Sequence, residues 1–145
     1  MSLHWKDDKA FNARYHALED VYLAWRSFLH DAHLGPSVVD AKKGWAAWFV
    51  EGESERLLCV VGLEPAMDKV QEWIAQPPRL RPCGVVKLDV VKGTSWSGAT
   101  LFEIPLQGGR AKPVSLSGNT LVIERLPRQG CRLFRVRRAK GVRRK

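Results

Sequence analysis

Between Asp8 and His33 the residues Phe11, Tyr15, Leu18, Tyr22, Trp25 and Leu29 recur at spacings of 4, 3, 4, 3 and 4. This rhythm marks one face of an α-helix, because roughly 3.6 residues per turn bring such positions into line. Val21 and Phe28 widen the stripe beyond a narrow seam. Asp7 and Asp8 stand where a helix N-terminus favours negative charge. His30 and His33 fall near the far end, and Gly35-Pro36 is the expected stop. An isolated helix of about 25 residues gains most of its stability by burying its apolar face, so this one is expected to cover a sheet or pair with another helix. A homodimer formed through the stripe is the other way to cover it.

The next segment supports two readings. Ser37 to Asp40 can open a second helix with Val38, Ala41, Trp45 and Trp48 on one face. Gly44 opposes that helix by about 1 kcal/mol. A hairpin fits better, with Trp45 to Val50 as one strand, a turn at Glu51-Gly52-Glu53-Ser54, and Arg56 to Val61 as the other. The second of these strands is almost wholly apolar, as a central strand should be. Gly62 and Glu64-Pro65 then begin a short helix carrying Met67, Val70, Trp73 and Ile74, which Pro77-Pro78 ends. Residues 56–76 thus read as a mixed strand–helix unit.

After Pro78 the pattern changes to short alternating runs separated by Gly, Pro, Ser and Asn. Gly84 to Val91, Thr100 to Leu106, Val114 to Leu116, Thr120 to Leu126 and Cys131 to Arg138 read as strands. Such a set suggests a C-terminal antiparallel curled sheet or small β-barrel. The expected fold class is therefore α+β, with a long N-terminal amphipathic helix. A length of 145 residues suits one compact domain over residues 1–138, with residues 139–145 as a flexible basic tail.

Charge divides the chain where the pattern changes. Residues 1–78 hold 8 Lys/Arg against 12 Asp/Glu, a net −4, whereas residues 79–145 hold 16 against 3, a net +13. An acidic scaffold joined to a basic contact surface is the simplest reading. The densest part is Arg132, Arg135, Arg137, Arg138, Lys140, Arg143, Arg144 and Lys145, with no acid among the last fourteen residues. Such a cluster neutralises a phosphate backbone and releases its counterions. In an extended strand, Phe134 and Val136 share a face with Arg132 and Arg138, leaving Arg135 and Arg137 on the other face with Leu133. Lys92 and Trp96 lie in a loop of small polar residues, where the indole either stacks on a base or folds back over the end of the barrel.

Other chemistry finds little support. Cys59, Cys83 and Cys131 form no CxxC and read as three reduced thiols. His30 and His33 have metal-like spacing, but no further ligands stand nearby. Asp89, Glu103 and Glu124 fall on separate predicted strands. No phosphate-cradling loop or nucleophile motif occurs. No catalytic residue, metal or cofactor is therefore expected. The longest apolar runs, such as Leu57 to Val61, are too short to span a bilayer, and residues 1–9 contain no apolar leader. The expectation is a cytoplasmic, non-enzymatic nucleic-acid-binding protein with no membrane partner, whether the polymer is DNA or RNA. One alternative is an adaptor or inhibitor docking on an acidic protein or a ribonucleoprotein complex. Another is a small nuclease or toxin.

Overall fold

Strand-forming alternation governs the structure, a computed structural model that describes residues 9–63 and 82–139. After a helical segment, α1 (Lys9–Asp31), come β1 (His33–Asp40), β2 (Trp45–Glu51), β3 (Glu55–Gly62) and β4 (Val86–Asp89). They are followed by β5 (Ala99–Ile104), β6 (Lys112–Val114), β7 (Thr120–Ile123) and β8 (Cys131–Arg138). Six strands form one antiparallel sheet in the order β1-β2-β3-β8-β5-β6, and β4 pairs with β7 in a second sheet.

The fold is mainly β, which corrects the expected α+β class. Phe49, Leu58, Val60, Leu101, Phe134 and Val136 of the large sheet share one buried cluster with Val86, Leu88, Leu121 and Ile123 of the small one. Among the described residues, every buried member of that cluster lies at or beyond Trp45. The inward face of the large sheet is thus covered by the second sheet. Two residues of the N-terminal stripe expected to form a layer of the core do not bury: Tyr15 and Tyr22 are 58% and 57% exposed. Periodicity identifies an apolar helix face, but it cannot say what that face packs against. Phe28 does reach the sheet, lying where any side chain on Gly52 of the β2–β3 turn would have to go.

Other boundaries also differ. The helical segment ends at Asp31, and Gly35 and Pro36 fall inside β1, where the pairing with β2 slips between Leu34 and Ser37. A bulge at an edge strand accommodates a proline that a central strand would reject. Residues 38–50 take the hairpin reading, with β2 and β3 in register from Trp45 opposite Gly62 to Glu51 opposite Arg56. Gly44 closes the preceding turn at φ +79° and donates to the Asp40 carbonyl. The helix expected over residues 64–76 lies outside the described residues. The separate C-terminal sheet is corrected too, because β8 enters between β3 and β5 and joins both halves of the chain. Alternation locates strands, whereas partner choice depends on contacts remote in sequence. No helix among the described residues is long and apolar enough to cross a membrane.

The inward end of the β2–β3 hairpin carries a buried charge. Arg56 has no exposed surface, stacks on Phe49 with its guanidinium carbon 3.7 Å from the ring centre, and pairs with Glu51. Its Nη1 donates to the Val90 carbonyl and its Nη2 to the Lys92 carbonyl, each at 2.8 Å. Removing one partner of a buried pair leaves the other desolvated and unpaired, at a cost of about 3–5 kcal/mol. Arg56→Met is therefore expected to lower the urea midpoint by that equivalent. Combining it with Glu51→Leu should recover only part, because the Val90 and Lys92 carbonyls remain without a donor. A single variant as stable as the wild type would show that this contact is dispensable.

Candidate nucleic-acid interface

Strand β8 carries half of the basic cluster, and its two faces have different roles. Phe134 and Val136 are fully buried, so the strand is anchored through one face. Arg132 lies on that same inward side near the sheet's end, where Glu103 of β5 accepts from its Nε and Nη2 at 2.8 and 2.5 Å. Its guanidinium also lies 5.2 Å from the Phe134 ring centre. This bidentate geometry holds Arg132 within the sheet.

On the outward side, Arg135 and Arg137 converge on Glu55 at the start of β3. Arg135 donates to both carboxylate oxygens at 2.9 and 2.6 Å, and Arg137 donates to one at 3.0 Å. Arg137 additionally covers Phe102, 5.4 Å from the ring centre. The two guanidinium groups thus share the Glu55 carboxylate. Pairing across strands had no sequence signal, since residues 55 and 137 meet only through the β3–β8 register.

Arg138 is the last residue of β8, and its side chain is exposed. Its backbone N–H donates to the Ser54 carbonyl at 3.2 Å, which ties the strand end to the β2–β3 turn. Lys140, Arg143, Arg144 and Lys145 lie outside the described residues. The exit of β8 therefore fixes the origin of a segment holding four further Lys/Arg.

Lys92 and Trp96 sit toward the same sheet end. Ala99, three residues after Trp96, is paired in register with Arg138. Lys92 presents an exposed side chain while its carbonyl is held by Arg56. Trp96 is half-buried against the core, with its ring centre 6.0 Å from the Arg56 guanidinium carbon. Of its two expected orientations, the indole takes the one folded back on the protein. A buried arginine within an apolar strand was the available clue to this arrangement, because such a charge requires partners from elsewhere in the fold.

Arg128 also serves the structure, donating to the Leu63 carbonyl at 3.3 Å. Lys87, Arg110, Lys112 and Arg125 have exposed side chains. The histidines expected to share a helix end are divided, His30 in the helical segment and His33 in β1. Asp89 and Glu124 stand at opposite ends of the β4–β7 ladder, while Glu103 is committed to Arg132. Among the described residues no group of three or more His, Cys, Asp or Glu is placed to hold a metal ion.

Glu55 competes with any phosphate for two arginines. Glu55→Gln is expected to tighten binding to a DNA duplex at low salt and to steepen its salt dependence by about one charge. Isothermal titration at two salt concentrations checks this. Unchanged affinity would remove Arg135 and Arg137 from the contact surface.

No protein-family model matches the chain, and comparison with curated proteins and with solved structures finds no match.

Proposed function

We propose that this is a non-enzymatic nucleic-acid-binding protein whose phosphate contacts centre on the exit of β8 and the segment that follows it. The observation that carries the proposal is the charge of residues 138–145, where five of eight positions are Lys or Arg and none is acidic. Arg132, Arg135 and Arg137 support the same reading less directly. Their glutamate partners position them, and around Glu55 two arginines share one carboxylate. Lys92 adds a cation at the same sheet end. Trp96 contributes by shaping the loop from within.

Contacts of this kind provide affinity and little sequence preference, because phosphates carry no base identity. The proposed ligand class is thus a phosphate backbone, with DNA and RNA to be separated by experiment. The three free thiols suit a reducing compartment, and we place the protein in the cytoplasm.

A second reading, docking on another protein, draws on the outward face of the sheet. There Leu34, Val39 and Trp48 on β1 and β2 are 80%, 66% and 37% exposed. An adaptor would retain its partner after nuclease treatment, whereas a nucleic-acid-bridged complex would dissociate.

The primary reading is tested by fluorescence anisotropy with labelled DNA and RNA across a salt series, comparing the full chain with one ending at Arg138. Shortening removes four cations. For duplex DNA, the slope of log affinity against log salt should become shallower by about 3–4. No binding at low salt, or equal slopes for both chains, would refute it.

A further inference from the structure

Two thiols on the outward face of the sheet lie closer together than their separation in sequence suggests. Cys59 of β3 is paired in register with Leu133, and Cys131 of β8 with Val61. The cysteines are therefore diagonal neighbours on adjacent strands, and their sulfurs are 3.5 Å apart although 72 positions separate them in the chain. Cys131 is exposed and Cys59 is half-buried. Cys83 belongs to a different environment, buried in the core with its thiol donating to the Gly44 carbonyl at 3.0 Å.

We propose that Cys59 and Cys131 are a reversible redox pair, in which peroxide oxidises exposed Cys131 and Cys59 resolves it to an intramolecular disulfide. This site is independent of the nucleic-acid reading. The Cys131 thiolate attacks one peroxide oxygen, the O–O bond breaks, and the departing hydroxide takes up a proton to leave as water. The product is a sulfenic acid on Cys131. The Cys59 sulfur then attacks that sulfenic sulfur and forms the S–S bond, releasing the hydroxyl group and the Cys59 proton as a second water. Across both steps, two thiols lose two electrons and two protons while one peroxide becomes two waters.

The environment assigns the order. Burial first, then the hydrogen bond and charge of Cys131, push the Cys59 thiol up to about 12. Cys59 therefore stays protonated at neutral pH and does not start the reaction. Exposure gives Cys131 access to peroxide. Once Cys131 is a sulfenic acid, its sulfur is the electrophile that the neighbouring Cys59 attacks. To bond, the sulfurs must approach by about 1.4 Å. Exposed disulfides are among the readily reduced ones, so the bond should open with a small thiol.

The sequence permits a direct readout. Cleavage after Lys and Arg, sparing the Arg81–Pro82 bond, places Cys59 in residues 57–69, Cys83 in residues 80–87 and Cys131 in residues 129–132. The folded full chain is treated with hydrogen peroxide, and its thiols are blocked with N-ethylmaleimide under denaturing conditions before digestion and mass spectrometry. The expected result is loss of two of the three alkylatable thiols, a cross-link joining residues 57–69 to 129–132, and an alkylated Cys83. Dithiothreitol should restore all three thiols. In Cys59→Ala, dimedone should trap the sulfenic acid on Cys131 in place of the cross-link. Wild-type mapping decides the matter even if that variant does not fold. Over-oxidation of Cys131 with Cys59 still free, a bond involving Cys83, a bond between two molecules, or three unreacted thiols would each overturn the proposal.

Discussion

Arg56 joins parts of the molecule that local patterning leaves independent. Its guanidinium is buried on the inward face of β3 and bonded to Glu51, Val90 and Lys92. The hairpin β2–β3 is thereby fastened to the connection that follows β4. A charge buried this fully is tolerable only when its donors are matched. The need for partners imposes a register on the turn after β4 and directs Trp96 inward. The ion pair is better understood as selecting one arrangement than as a net source of stability.

Strand β8 makes a second long-range connection. By entering between β3 and β5, it carries a basic segment into the centre of a sheet begun by a more acidic one. Acids from both neighbouring strands then meet its arginines, Glu55 on one face and Glu103 on the other. The local charge excess is smaller than a count along the strand implies. Arg138, where the strand ends, is exposed. The same insertion brings Cys131 beside Cys59, so one topological feature determines both the proposed interface and the proposed redox pair.

The contrast between what was legible in sequence and what was not follows from the range of each interaction. The β2–β3 hairpin was legible because its apolar run and turn residues are contiguous. So were the buried positions Phe134 and Val136, which alternation along one strand is enough to place. The core role expected of Tyr15 and Tyr22 failed because an amphipathic period carries no information about its counterpart. Placement of β8 beside β3 depends on pairing across some 70 positions, a number set by the register and not by any local signal. The glutamate partners of Arg132, Arg135 and Arg137 were hidden for the same reason. Charge composition pointed to the C-terminal end as the contact surface; Arg138 is exposed where β8 ends, and whether a ligand binds there is left to experiment.

The central claim is that a phosphate backbone meets the protein at the end of β8. Its most direct test is a two-dimensional NMR titration of the isotope-labelled full chain with a short oligonucleotide. The account predicts that backbone amide shifts concentrate at residues 137–145 and at Lys92, with the core amides of β2 and β3 unmoved. Shifts confined to the outward apolar face around Val39 and Trp48, or no shifts at low salt, would contradict it.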